Sequence, residues 1–445
     1  MGRVTRQSIR PTRSRGRRRP VRGGLLATLS AALLMLISAC SGGGSSGSGG
    51  NGPVTLTYGI WDVAQRPAME QIIKEFHASH PNINIQIQLT PSDSYWTKLQ
   101  TAVTAGTGPD VFWMNAYNAK FYAINGALLD LDDQVKSSHL NMDNYVDAIR
   151  SAYTVNGKVY GLPKDANGYA LCYNKKLFQQ AGLKPPDNSW TWDDLISAAQ
   201  KLTNRAKGVY GFVAPNDDGT GWYLTVLQSG GQIISADGKK SGYDQPGTIK
   251  GIQFLADMIN KYHVSPTLQQ TTDTDPEAML TSGKVAMRYC GSWEPETLAA
   301  VPYGKANLDF APLPKGPAGN RNFYANGLGN VIEAKTKHPQ QAWQFVQFLG
   351  SKRAAQIQAE TGTVIPAFKG QAAAYAKAMP EYHMQVFVDS LPNSTLYPSS
   401  QNTLAWQDYA FQQFAKAWTG KSSVTDVARQ VATKMNQDLA AEQKH

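Results

Sequence analysis

Apolar and polar residues alternate in Val54-Thr55-Leu56-Thr57-Tyr58-Gly59-Ile60 and again at Ile83, Ile85, Ile87 and Leu89. A period of two predicts half-buried strands in both places. Between them Met69, Ile72, Ile73 and Phe76 recur at helical spacing, which predicts an amphipathic helix over Pro67–Ser79. A second helix is predicted over Tyr95–Ala105. Gly106-Thr107-Gly108-Pro109-Asp110 then breaks the chain before a third strand, Val111–Met114. Asp110 is read as the residue that pins this turn. Strand and helix keep alternating, as in sheets of parallel strands with helices on both faces.

The middle of the chain holds two short apolar runs, Gly157–Pro163 and Tyr169–Tyr173, around the polar patch Lys164-Asp165-Ala166-Asn167. Both runs read as strands, and Asn174 reads as the N-cap of the helix that follows. Thr191 with Asp194 three residues on predicts a capped helix to about Leu202. Beyond it, a strand is predicted over Val209–Val213, a helix opening at Trp222 and another carrying Ile249, Ile252, Phe254, Leu255 and Ile259. Pro276 suits the first turn of a short helix. Gly283–Gly291 reads as a strand, Phe310–Pro317 as a connection and Asn326–Ile332 as a turn into a strand. From His338 onward the pattern is helical, notably over Thr403–Trp418 and Val424–Leu439.

Charge changes the picture only after the N-terminus is set aside. The formal charge of the chain is +10 over 445 residues. Nine arginines and no acidic residue precede position 40, so removing residues 1–39 takes the charge to +1. A nearly neutral remainder gives no electrostatic case for nucleic acid. The basic run to Arg22, the apolar run Leu25–Ile37 and the lipobox Ile37-Ser38-Ala39-Cys40 form an export signal with a lipidation site at Cys40. The apolar run is short for a membrane span. Arg17-Arg18-Arg19 raises a twin-arginine export route only weakly, because Pro20-Val21-Arg22 follows. Ser41–Pro53 is almost all Gly and Ser and reads as a flexible tether. Cys172 and Cys290 remain; export permits a disulfide between them, and two buried thiols are the alternative.

In an open α/β sheet, ligands bind beyond the carboxyl ends of the strands. Those ends carry Trp61 and Asp62; Trp113, Asn115 and Tyr117; Lys164, Asp165 and Asn167; Asp217, Asp218 and Trp222; Trp293 and Glu294; and Asn326. Flat rings suit the apolar C–H face of a sugar, and Asp and Asn suit its hydroxyl rim. The candidate ligand-binding set is Trp61, Asp62, Trp113, Asn115, Asn167, Trp222, Trp293 and Asn326.

Catalytic and metal motifs give little. There is no Gly-x-Ser-x-Gly elbow. Gly420-Lys421-Ser422 lacks the upstream glycine and strand of a P-loop. His77 and His80 lack an evident third ligand. Asp130, Asp132 and Asp133 read as a solvated turn. No carboxylate pair stands out for glycoside hydrolysis, although sequence alone leaves one open. No metal or cofactor is implied.

The middle stretch resembles the signature of the bacterial extracellular solute-binding proteins of family 1, the sugar-binding subunits of ATP-driven importers. The matching parts are Gly161-Leu162-Pro163, Ala170-Leu171-Cys172-Tyr173-Asn174, Lys175, Leu177-Phe178 and Ala181-Gly182. Cys172 departs from the family's large apolar residue and Gln180 from its charged residue or Asn. Gly106–Val111, Gly283–Met287 and His338-Pro339 through Phe348-Leu349 follow as landmarks in the family's order. The resemblance implies an α/β fold of two lobes joined by a hinge, each lobe a mostly parallel sheet flanked by helices. It implies a first lobe of residues 53–164 and 324–374, and a second of 165–323 and 375–445. It puts Asn167 at the mouth of the cleft and gives Trp293 the place of a cleft tryptophan.

By the same resemblance, the partners are a carbohydrate and an ABC permease; the lipidation site at Cys40 adds a lipid anchor, and the protein is expected to be a monomer at the outer face of the cytoplasmic membrane. No disulfide is required by it. The alternatives are an exported carbohydrate-active enzyme, or a binding protein for a non-sugar solute such as a polyamine or a glycerophosphodiester.

Overall fold

The computed structural model describes residues 52–443. The export signal, Cys40 and most of the Gly/Ser tether lie outside the described residues.

Two sheets organise the chain. The first contains β1 (Val54–Ile60), β2 (Ile83–Leu89), β3 (Val111–Asn115), β4 (Gly161–Pro163) and, from far downstream, β8 (Leu328–Ile332). Their order is β2-β1-β3-β8-β4. β2, β1 and β3 are parallel, with Leu56 opposite Ile85 and Tyr58 opposite Val111. β8 is antiparallel to both its neighbours, with Val331 between Phe112 and Gly161. Helices Arg66–Ser79 and Ser92–Ala105 connect the parallel strands. The first turns Met69, Ile72 and Phe76 onto a core with Leu56, Tyr58, Trp113, Trp343 and Phe345. Gly106 ends the second in the left-handed region at φ 70°. Asp110 pins the turn as read from sequence: Oδ2 accepts from the Thr57 amide at 2.8 Å, and Oδ1 accepts from Thr336 at 2.6 Å.

The second sheet contains β5 (Tyr169–Asn174), β6 (Met287–Gly291) and β7 (Leu308–Ala311) in the order β7-β5-β6. Here the expectation of mostly parallel strands is corrected, since β5 is antiparallel to both neighbours. β5 leaves the crossing segment directly and runs between them in the opposite sense. The predicted strand Val209–Val213 forms two isolated bridges, Val209 to Asn204 antiparallel and Tyr210 to Val285 parallel. Its amides donate in turn to Lys284, Val264 and Met287, so no continuous ladder develops. Gly211 is pressed against helix Trp192–Leu202, where a Cβ would stand 2.0 Å from the Ala199 carbonyl oxygen. Phe310 and Ala311, read as connection, lie in β7. A 3-10 turn, Trp222–Leu224, replaces the predicted helix opening.

Cys172 on β5 and Cys290 on β6 are joined as a disulfide, with Cα atoms 5.8 Å apart. The core around this sheet draws on helices Pro246–Asn260, Thr403–Trp418 and Val424–Glu442. The capping predictions match: Asn174 Oδ1 accepts from the Leu177 amide at 3.0 Å, and Thr191 and Asp194 form a reciprocal capping box.

Candidate functional site

The carboxyl ends of β1 and β6 and the two segments that cross between the sheets meet at one cavity of about 240 Å³. Trp61 and Asp62 enter directly after β1. Asp62 Oδ1 accepts from the Ala64 amide at 2.9 Å, and Oδ2 accepts from Gln65 Nε2 at 2.8 Å. Gln65 Oε1 in turn accepts from Lys164 Nζ at 2.6 Å. Trp61 is held edge-on against Tyr95 and Trp113, with centroids 4.8 and 5.1 Å apart.

The crossing segments are tied to one another. The Lys164 amide donates to the Leu328 carbonyl at 2.7 Å, and the Asn167 amide to the Asn326 carbonyl at 3.1 Å. Lys164 Nζ pairs with Asp165 Oδ2 at 2.8 Å, both side chains being 1% exposed. Asp165 Oδ1 accepts from the Leu328 amide at 2.9 Å. Asn326 Oδ1 accepts from the Ala116 amide at 3.0 Å. A buried ion pair adds little net stability but fixes geometry, and removing one partner strands a charge. Lys164 and Asp165 therefore lock the crossing in place.

The far wall comes from the second sheet. β6 ends at Gly291, and the Trp293 ring lies over it so closely that a Cβ there would stand 2.2 Å from the ring. Glu294 holds this turn by accepting from the Gly291 amide at 2.8 Å and from Arg288. Tyr169 of β5 meets Trp293 edge-on at 5.6 Å and shares a hydroxyl contact with Tyr397 at 3.3 Å. Tyr117 stacks on Tyr397 at 5.6 Å and 17°.

Asp218 and Gly219 close the wall, with Gln407 donating to Asp218 Oδ2. Burial pushes the Asp218 carboxyl up to about 7, and the charge of Asp217 adds to the rise. Burial raises the Asp217 carboxyl as well.

Five of the eight sequence candidates line this cavity: Trp61, Asp62, Asn167, Trp293 and Asn326. Three do not. Trp113 has no exposed surface, donates from Nε1 to the Tyr58 hydroxyl at 2.6 Å and carries Lys164 Nζ 4.4 Å above its ring. It lies behind Trp61 as support. Asn115 is buried and caps helix Ala116–Ile124. Trp222 is wholly buried among Phe411, Phe414 and Trp418.

Tyr117, Asp165 and Asp218 stood among the strand ends but outside the chosen set. Tyr169 lies inside the middle stretch, masked by its strand pattern. Nothing local marks Val364 or Tyr397, which arrive from the helix-rich tail.

A larger hollow of about 910 Å³ lies between helices Trp192–Leu202, Pro246–Asn260 and Val424–Glu442. It is on the helical exterior and away from the strand ends. The smaller cavity combines the strand-end position with converging rings and carboxylates, and is the better candidate.

The profile of the family described as bacterial extracellular solute-binding protein matches residues 61–356, more than half of the chain. The chain belongs to this family. Among its relatives, the multiple sugar-binding protein of Streptococcus mutans is 26% identical over 322 residues, covering 68% of this chain and 72% of that protein. The arabinooligosaccharide-binding protein of Bacillus subtilis is 25% identical over 307 residues, covering 68% and 70%. The fold matches that of an ABC substrate-binding protein from Listeria monocytogenes, solved in complex with cycloalternan. Its TM-score is 0.82 at 24% identity, over 87% of this chain and 99% of that one. The two-lobe solute-binding fold follows from this likeness, and these relatives are binding proteins rather than enzymes.

Proposed function

We propose that this solute-binding protein captures a sugar or oligosaccharide between its lobes and delivers it intact to an ABC permease. One observation carries the reading. Five aromatic side chains (Trp61, Tyr117, Tyr169, Trp293 and Tyr397) converge with Asp62, Asn167 and Asn326 in a single cavity at strand ends. Rings offer flat apolar faces to sugar C–H groups, while the carboxylates and amides meet hydroxyls. The names of the Streptococcus and Bacillus relatives support the same ligand class.

The lobes are residues 53–164 with 324–374, and 165–323 with 375–445. The paired segments at Asp165–Asn167 and Asn326–Leu328 serve as the hinge. Contacts from both lobes are complete only when they close, so ligand shifts the population toward the closed form. The family's extracellular character puts the protein outside the cytoplasm. A diacylglycerol on Cys40 and the Gly/Ser tether hold it, as a monomer, at the outer face of the cytoplasmic membrane.

A thermal-shift panel of neutral sugars against polyamines and glycerophosphodiesters tests the ligand class. A rise in melting temperature with at least one sugar is expected, and a rise only with the charged solutes overturns the reading. Chromatography of the recovered sugar separates capture from hydrolysis, since capture returns it unchanged. Cys40→Ser is expected to move the protein from the detergent phase to the aqueous phase on phase partition.

A further inference from the structure

The charges around the cavity do not balance. Among the described residues, its lining holds three carboxyl groups, Asp62, Asp165 and Asp218, and no Lys, Arg or His. Asp165 is neutralised from behind by Lys164 at 2.8 Å. Asp62 is held by an amide N–H and by Gln65, both neutral donors. Asp218 receives only an amide donor from Gln407 among its side-chain partners. It also stands beside Asp217, whose carboxylate is occupied by the neutral Thr220. The cation whose charge reaches Asp217, Arg288, is already paired with Glu294. The groups facing Asp218 from other elements are the phenols of Tyr117, Tyr169, Tyr223, Tyr243 and Tyr397, and none supplies positive charge.

We infer that the cavity selects a carbohydrate bearing a protonated amine over its neutral hydroxyl counterpart, with Asp218 meeting the ammonium group. The inference rests on the sugar reading above and narrows it. A secluded carboxylate without a counter-charge is costly, and an ammonium group removes that cost where a hydroxyl does not. The rings beside it work in the same direction. Tyr117, Tyr397 and Tyr169 line the cavity beside it, and aromatic rings attract a cation as well as sugar C–H groups. Burial, with the charge of Asp217 beside it, displaces the Asp218 carboxyl upward to about 7. In the free protein near neutral pH this group is partly protonated, and an arriving ammonium ionises it.

Calorimetric titration of the lipidated protein in detergent provides the test. The ligands are matched pairs at pH 7: glucosamine with glucose, galactosamine with galactose, and the β-1,4-linked glucosamine disaccharide with cellobiose. At least one amino sugar is expected to bind about tenfold or more tighter than its neutral partner. Asp218→Asn is expected to abolish that preference while neutral-sugar affinity changes less. Repeating the titration in buffers of different ionisation enthalpy reads the proton count without any variant. Amino-sugar binding releases up to about half a proton per site at pH 7, as expected for a group titrating near that pH.

Neutral sugars binding as tightly as their amino partners, with no proton released, overturn the amine inference and leave the sugar reading intact. An amino-sugar preference that survives in folded Asp218→Asn protein overturns the role of Asp218. Binding of spermidine with no binding by either sugar class overturns both this inference and the proposed function.

Discussion

Trp222 and Trp293 both follow strand-like runs, yet they end in opposite surroundings. Trp293 sits two residues beyond β6, on a glycine that leaves its ring room, and it lines the cavity. Trp222 lies wholly buried against Phe411, Phe414 and Trp418 of helix Thr403–Trp418. The difference is made nearly two hundred residues downstream. A helix from the tail covers one tryptophan and leaves the other beside open space, and a strand-end rule applied locally does not see that helix.

The largest effect that can break this contrast is expected at Trp222. Trp222→Ala should lower stability by about 3–5 kcal/mol through lost burial and the cavity left behind. Its indole N–H makes no well-formed hydrogen bond among the described residues, so Trp222→Phe should cost much less. Urea unfolding monitored by circular dichroism measures both. If Trp222→Ala instead weakens ligand binding at full stability, the two tryptophans belong to one site.

The disulfide comes next. It ties β5 to β6 immediately before Gly291 and spans a sequence separation of 118 residues. Replacing Cys172 and Cys290 together by Ser should cost about 2–5 kcal/mol, because the unfolded chain is no longer constrained. The loss should appear in thermal unfolding of the oxidised wild type against the variant.

Trp293→Ala should do the reverse of Trp222→Ala. Binding is expected to weaken by about 1–3 kcal/mol, by analogy with aromatic stacking on other rings. The melting temperature should change little. Reduced stability at unchanged affinity would make Trp293 a packing residue and erase the comparison.

The last effect concerns pH. The Asp218 carboxyl titrates in the folded protein at about 7, against 3.8 for its ordinary value. The folded state therefore holds a proton that the unfolded chain gives up, and stability falls as pH rises through that interval. Asp218→Asn should be as stable as wild type near pH 4 and more stable at pH 8. Parallel melting curves for the two proteins at all pH values would contradict this.

Much of this architecture was legible locally. β1, β2 and β3, the helices between them, and the caps at Asn174 and Thr191 depend on period and on short-range hydrogen bonds that a sequence displays. The antiparallel arrangement of β5, β6 and β7 depends on which distant segments become neighbours, and periodicity carries no direction. The same limit applies to the site. Trp61, Asp62 and Trp293 were readable because the chain turns at a strand end beside them. Trp113 was misplaced because Trp61 lies in front of it, and Asn115 because the next helix needed its side chain as a cap. Tyr397 was invisible, since only the tail's docking brings it against Tyr117 and Tyr169.

The central claim is that a cavity at the strand ends of two lobes closes on an unmodified carbohydrate. Calorimetric titration of the wild-type and Trp293→Ala proteins with a panel of neutral and amino sugars tests it most directly, with each sugar recovered afterwards. The account predicts saturable one-to-one binding of at least one sugar, about 5–150-fold weaker in the variant, and the sugar returned intact. Binding that is indifferent to Trp293→Ala, or the absence of sugar binding across the panel, would contradict it.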